Sequence, residues 1–427
     1  MFFVSCSTKG ERVVEVTKQN DIYDLKHIPQ NIKEFTKNTD TDIKMDQSKF
    51  ENHYFSVWNI QEPSQTLQDI KWPFRSYTAD GSYGENLKPL DEQFFENMYK
   101  NSNFQNYLKV NKKALTLKLL NIRAFPTSRP LLRDPSRAGE GFPFDYLQNS
   151  TIAANKPVLI SHFSKDKEWA YIFCSFASGW VKSGDIVVLD PKYTKEWQKA
   201  REVFFTKDDV PVYSLEGDFL FDSRIGMMLP LIKEDKDSYT VLVVSKYKNQ
   251  QPLYLEAKLS KDIAHEGVLR FNAKNLNKII GNIFYSKYGW GGAYEQRDCS
   301  STIRDIFIPF GIWLPRNSSQ QAKVGKVVSL EGLSDDEKLL LIKKEAIPFE
   351  TLLHKKGHIA LYVGLYNNDI VILHNTWGIK TKHKGRDGRI VIGKVILSTL
   401  KLGQYQKDYD ENSSILRKID TMNIIVQ

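Results

Sequence analysis

The spacing of apolar and polar positions divides the chain into three kinds of stretch. Residues 8 to about 50 are polar and rich in Asp, Lys and Asn, which predicts a segment running over the surface of later domains. Aromatics begin to cluster at Tyr54-Phe55-Ser56-Val57-Trp58, and across 86–109 positions such as Phe94, Phe95, Met98 and Tyr99 recur at helical spacing. Residues 20–110 therefore predict a small, mainly helical N-terminal unit. From 111 to 265 the pattern becomes short β-rich runs, among them Val158-Leu159-Ile160, Trp169-Ala170-Tyr171-Ile172-Phe173, Val187-Val188-Leu189 and Thr240-Val241-Leu242-Val243-Val244. Turn signals at Asp134-Pro135, Gly139-Glu140-Gly141 and Ser183-Gly184-Asp185 separate them. This spacing predicts two small all-β barrels, 111–192 and 193–265. From 266 to 427 the pattern is α/β. It predicts helices near 272–283, after Cys299 and around 334–346, with strands at 358–365 and 369–374 joined by a tight turn at Asn367-Asn368.

Length agrees with several domains, because 427 residues exceed what one hydrophobic core organises. The 24 Phe, 20 Tyr and 8 Trp supply several small cores. Net charge is +9, from 60 Lys+Arg against 51 Asp+Glu, spread without a long basic block. A solvated Lys-rich surface accounts for it, and attraction to an anionic envelope polymer is the second reading. Without zinc-finger spacing or an aromatic-plus-basic signature, nucleic acid is not expected as a partner. No run of 18 apolar residues predicts a membrane span.

Three cysteines, Cys6, Cys174 and Cys299, make neither a disulfide framework nor a metal pattern. Cys174 lies in an apolar strand and reads as a small buried hydrophobe. His27, His53, His162, His265, His354 and His383 show no metal-ligand spacing, so neither metal nor cofactor is expected. Gly289 to Gly292 is no phosphate loop, since no Gly-Lys-Ser/Thr follows.

The chemistry concentrates around Tyr288-Gly289-Trp290-Gly291-Gly292 and Arg297-Asp298-Cys299-Ser300-Ser301. Ile303, Ile306, Phe307 and Phe310 then recur at i, i+3, i+4 and i+7, the stripe of an amphipathic helix ended by Gly311. Cys299 thus sits at a helix N-terminus with Asp298 as cap. There the helix dipole and free N–H groups favour a thiolate and can bind an oxyanion. A nucleophilic cysteine needs an imidazole. His358 opens one strand and His374 closes the next, so a hairpin would bring the two rings together.

Asp298-Cys299-Ser300, Leu314-Pro315-Arg316-Asn317-Ser318-Ser319-Gln320-Gln321, Gly357-His358 and Leu373-His374 resemble the NlpC-type family of cell-wall cysteine peptidases. The resemblance implies a papain-like fold over 266–427. It gives Cys299 as nucleophile, His358 as base and His374 as the third, orienting residue. Ser178-Gly179-Trp180-Val181 after Trp169, and Gly226-Met227-Met228-Leu229-Pro230-Leu231, are similar to parts of the Src-homology-3-like barrels such peptidases carry. Relatives with these barrels cut the bond between γ-D-glutamate and the diamino acid, such as meso-diaminopimelate, in L-Ala-γ-D-Glu-diamino acid stem peptides of peptidoglycan. By the same resemblance Tyr288, Asp298, Ser300, Asn317 and Ser318 contact substrate. Many relatives have Arg-Asp-Ser where this chain has Arg316-Asn317-Ser318, so a negative charge is missing. An amidase or acyltransferase on the same core, and a catalytically silent wall-binding protein, are the alternatives.

Two further expectations concern the ends of the assembly. Met1-Phe2-Phe3-Val4-Ser5-Cys6 resembles the end of a lipoprotein export signal, which implies a lipid anchor at Cys6 and a cell-envelope, periplasmic location, with 1–19 a signal remnant and linker. In the first barrel, Gly139-Glu140-Gly141-Phe142-Pro143-Phe144-Asp145-Tyr146 either closes one end of the groove or packs as core. On the first reading, Glu140 or Asp145 pairs with the ammonium of a free N-terminal L-alanine, beside Tyr146.

Overall fold

The computed structural model describes residues 22–37, 39–246, 249 and 251–426. The expectations at residues 1–19, Cys6 included, lie outside the described residues. The chain is multidomain, with helices first, two β-rich domains next and an α/β domain last.

The N-terminal part contains α1 (Tyr23–His27), α2 (Lys33–Thr36), α3 (Gln47–Tyr54), α4 (Ser56–Asn59), α5 (Leu67–Ile70), α6 (Trp72–Ser76) and α7 (Glu92–Asn101). The Asp91 side chain caps α7 by accepting from the Phe94 N–H at 2.9 Å. The helix is shorter than the 86–109 expected from periodicity. Leu87 and Asn103 adopt left-handed backbone, with φ of 62° and 50°, and no helix runs through such residues. These helices share no core of their own. Ile28, Ile32 and Phe35 join the core of the last domain. Phe50, Tyr54 and Trp58 pack into a cluster that runs through both β domains. Phe94 and Phe95 pack against Phe125, Leu131 and Leu147, and Ile22 against Ile379, Ile390 and Ile396.

The first β domain is a seven-stranded antiparallel sheet in the order β3-β2-β6-β5-β4-β1-β7. Its strands are β1 (Lys112–Thr116), β2 (Leu120–Arg123), β3 (Gln148–Ile152), β4 (Pro157–Phe163), β5 (Trp169–Phe173), β6 (Ser178–Lys182) and β7 (Ile186–Val188). Trp169, Cys174 and Trp180 are buried in it. Helix α8 (Pro191–Lys199) leads into β8 (Glu202–Phe205), β9 (Pro211–Tyr213), β10 (Phe219–Asp222), β11 (Met228–Glu234), β12 (Ser238–Lys246), β13 (Pro252–Ser260) and β14 (Ala264–Glu266). Five of these form the sheet β13-β12-β11-β8-β14, and β9 and β10 form a separate hairpin.

The last domain carries α9 (Ala273–Ile283), α10 (Cys299–Phe307), α11 (Ser318–Gln321), α12 (Asp335–Glu345) and α13 (Ile415–Lys418). Its strands are β15 (Lys326–Ser329), β16 (Thr351–Lys355), β17 (His358–Tyr366), β18 (Asp369–His383), β19 (Arg386–Thr399) and β20 (Thr421–Ile424), ordered β15-β20-β16-β17-β18-β19. Both faces of the sheet are covered. Leu352, Leu361, Val371 and Leu373 pack with Ile280, Ile303 and Phe307 of α9 and α10. The alternating Leu353, Ala360, Ile370 and Ile372 pack with Ile342 of α12. This arrangement drives the N-terminus of α10 against the start of β17.

Candidate active site

Helix α10 begins with a reciprocal cap. Asp298 Oδ1 accepts from the Ser301 N–H at 2.8 Å, while Ser301 Oγ accepts from the Asp298 N–H at 3.0 Å. Cys299 occupies the first helical position, where the backbone N–H has no intrahelical acceptor and can face an oxyanion. Arg316 fixes the cap from outside. Its guanidinium donates to Asp298 Oδ2 at 2.6 Å and Oδ1 at 3.2 Å, to Ser300 Oγ at 2.9 Å and to Ser150 Oγ of the first β domain at 2.7 Å.

The two histidines meet as the hairpin requires. His358 Nε2 lies 2.9 Å from His374 Nδ1, and His374 Nε2 lies 3.0 Å from Ser398 Oγ on β19. With Nε2 of His358 occupied, Nδ1 is the nitrogen left to accept a proton. Asn375 fastens this pair to the nucleophile's helix, donating to the Arg297 carbonyl at 2.7 Å and to Thr302 Oγ1 at 3.1 Å. The backbone N–H groups of Ile359, which follows the base, and of Ser300 act to stabilise a negative charge on the Cys299 sulfur.

The electrostatics differ from the sequence expectation of a thiolate held by the helix dipole. Burial pushes the Cys299 thiol up to about 12, and the Asp298 carboxylate adds to the push. The Ile359 and Ser300 N–H groups and Arg316 pull down without overcoming it. Burial also drives His358 well below its ordinary range, helped by His374, Lys355 and His354. Burial takes His374 to about 3, with Lys355 contributing. Both shifts favour the neutral forms, thiol and imidazole, because the enclosure of Cys299 outweighs its helical position.

A cavity opens over Cys299. Tyr288, Asp298, Ser300, Asn317, Ser318 and Tyr146 all line it. Glu140 and Asp145 do not. Glu140 accepts from the Tyr146 hydroxyl at 2.8 Å. Asp145 pairs with Arg123 at 2.5 Å and also accepts from the Leu131 and Leu147 N–H groups at 3.0 and 2.9 Å. The Asp145 carboxylate is thus consumed inside the first β domain, a correction to its assignment as an ammonium-binding group. Phe144 packs between Trp290 and Trp377, 5.5 and 5.3 Å from their centroids, so the loop both joins the domains and walls the cavity. Phe142 stays 71% exposed.

Several contributors were missed from sequence. Trp72 and Tyr77 of the N-terminal part line the cavity. Arg316, Asn375 and Ser398 hold the acting groups. The glycine run has an unexpected reason as well. A Cβ on Gly291 would lie 2.2 Å from the Gln148 carbonyl oxygen, and one on Gly292 2.5 Å from Thr151 Oγ1. Both have positive φ. These glycines let strand β3 dock against the loop before the nucleophile. The remaining histidines are structural where bonds define them. His162 is buried between Ser161 Oγ and the Ser102 carbonyl, and His354 pairs with Asp420. Among the described residues no cluster suited to a metal occurs, and no helix is long and apolar enough to cross a membrane.

A capped helix carrying the cysteine, packed on a sheet that presents two linked histidines, is the arrangement of a papain-like cysteine peptidase. Residues 285–384 match the NlpC/P60 family. Residues 1–107 match its N-terminal stabilising domain, 130–182 an SH3 domain of SH3b1 type and 190–236 one of SH3b2 type. The γ-D-glutamyl-L-lysine dipeptidyl-peptidase of Bacillus subtilis (strain 168) is 25% identical over 192 residues, 44% of this chain. The chain spans 57% of that relative's length. Among solved structures, an NlpC/P60 endopeptidase from Photobacterium damselae subsp. piscicida superposes with a TM-score of 0.81 at 24% identity, over 93% of this chain and 97% of that one. An NlpC/P60 family protein from Bacillus cereus ATCC 10987 gives a TM-score of 0.50 at 17% identity, over 74% of this chain and 100% of that one. These two likenesses concern the fold.

Proposed function

We propose that the protein hydrolyses stem peptides of peptidoglycan at the bond between γ-D-glutamate and the diamino acid, with Cys299 as nucleophile. The observation that carries the reading is the hydrogen-bonded His358–His374 pair set against a buried cysteine at a capped helix start. As the Cys299 sulfur attacks the γ-carbonyl carbon, its proton passes to His358 Nδ1 and the carbonyl oxygen becomes an oxyanion facing the Cys299 N–H. Collapse breaks the C–N bond, and His358 gives its proton to the departing amine. A water molecule, deprotonated by His358, then attacks the thioester. The C–S bond breaks, releasing the γ-carboxylate and regenerating the thiol.

The substrate follows from the cavity wall and from the relatives. Trp72 and Tyr77 from the N-terminal part and Tyr146 from the first β domain stand around the groove, which suits a short peptide end better than a continuing chain. The curated relative's name specifies a γ-D-glutamyl-L-lysine bond. Free stem peptides carrying N-terminal L-alanine are the substrates this favours, acted on at the cell envelope. Kinetics on L-Ala-γ-D-Glu-diaminopimelate and on its N-acetylated form, with products identified by mass, test the reading. Release of the dipeptide and the diamino acid from the free form, abolished in Cys299→Ala, is expected. Cleavage at another bond, or equal kcat/KM for both forms, would refute the corresponding part.

A further inference from the structure

A continuous polar line leaves the catalytic pair and ends in the N-terminal part. His374 Nε2 meets Ser398 Oγ at 3.0 Å, and Ser398 Oγ lies 3.0 Å from the Thr399 carbonyl oxygen. The Thr399 N–H and hydroxyl both donate to Asp24 Oδ1, at 2.7 and 2.8 Å. Ser398 and Asp24 are 0% and 1% exposed. Asp24 belongs to α1 and lies 375 residues away from Thr399 in sequence.

We infer that Ser398 is a positioning residue for the catalytic base, setting the tautomer of His374 through its hydroxyl, and that Asp24 holds it in register. This inference rests on the reading of His358 as the base. Ser398 has one hydroxyl proton, and the acceptor-only Thr399 carbonyl takes it. Ser398 Oγ must then accept from His374 Nε2–H. A neutral His374 protonated at Nε2 has a bare Nδ1, which can only accept from His358 Nε2–H. A neutral His358 protonated at Nε2 has a bare Nδ1, the state a general base requires. Reversing Ser398 would reverse the whole line and place a proton on His358 Nδ1, where it blocks transfer from the thiol. Asp24, by gripping both donors of Thr399, fixes the end of β19 and so keeps the Thr399 carbonyl where Ser398 must point.

Nitrogen-15 NMR of the histidines in the full chain reads the tautomers directly. Carried out on Cys299→Ala, it requires no turnover, so it stands apart from whether the substrate has been assigned correctly. His374 is expected to be protonated at Nε2 with bare Nδ1, and His358 likewise. Ser398→Ala should give a mixed His374 tautomer and, in the Cys299 enzyme, lower kcat about tenfold with KM within about twofold, one hydrogen bond's worth of ordering. Ser398→Thr, which keeps the hydroxyl, should restore most of kcat. Asp24→Ala should lower kcat about threefold. His374 protonated at Nδ1 in the Ser398 protein would overturn the inference. So would a Ser398→Ala spectrum and kcat unchanged from the parent. If Ser398→Ala does not fold, the parent spectrum and Asp24→Ala decide.

Discussion

Replacing Arg316 by Met should destabilise the protein strongly near neutral pH, and progressively less in acid. Arg316 is 5% exposed and gives Asp298 a two-pronged pair at 2.6 and 3.2 Å. Without it the carboxylate remains buried, with Ser300 and Ser301 as its remaining side-chain and backbone donors. Breaking a buried pair from one side costs about 3–5 kcal/mol, a fall of roughly two to three and a half decades in the folded-to-unfolded ratio. The pH sign follows from Asp298. Burial raises its carboxyl, but Arg316 and the Ser301 bonds bring it below 3.8. In the parent, that depressed value contributes stability above the unfolded pKa near 3.8, lost as pH falls through the folded value. In Arg316→Met, burial prevails and the folded carboxyl rises above 3.8, so ionising it on the way to neutrality costs stability. The gap between the two proteins is therefore full above the variant's raised value and closes as pH falls through it. Guanidinium unfolding followed by tryptophan fluorescence at pH 7.5 and pH 4 measures this, with Arg316→Lys expected in between because a point charge cannot make the fork. A gap below about 1 kcal/mol at pH 7.5, or one equally large at pH 4, would refute the account.

Cys299→Ala should abolish hydrolysis with folding intact. His358→Ala should cost several orders of magnitude in kcat, and His374→Ala less, since water can partly replace an orienting group; stopped assays with circular dichroism check all three. Gly291→Ala should displace the first β domain from the loop before Cys299, because its Cβ would meet the Gln148 carbonyl at 2.2 Å. A lowered thermal midpoint together with a raised KM is expected. A chelator should leave activity unchanged while a thiol alkylator removes it, and zinc-restorable loss would contradict the cysteine mechanism.

The parts legible in the sequence are those set by short spacing. Asp298 caps the helix one residue later, and the stripe from Ile303 to Phe310 declares which side is buried. Asn367 and Asn368, both with positive φ, turn the chain so that His358 and His374 meet. The parts that were not legible depend on distant partners. Arg316 reaches Asp298 across 18 residues and Ser150 across 166, and nothing local marks it as buried. Asp145 sat in a loop that looked poised for a ligand, yet Arg123, 22 residues earlier, claims it. The thiol's upward shift is a property of enclosure, which no helix-end rule contains. Trp72 and Tyr77 reach the groove because α6 is laid against it by the rest of the N-terminal part.

That part's lack of a private core bears on the order in which the molecule is made. Phe35, Phe50, Phe94 and Ile22 each find their apolar neighbours in a different, later region. A stretch whose apolar side chains are covered mainly by later regions cannot complete its packing as it leaves the ribosome, because it leaves before them. The bond from Thr399 to Asp24 spans 375 residues, and that from Gln30 to the Leu397 carbonyl spans 367. The entropy of closing such a span grows only logarithmically with length, so the delay is one of synthesis more than of search. Residues 22–104 are thus made before their partners and settle only with them. They act as a latch over domains already formed, and nascent chains halted before β19 should leave them open to protease.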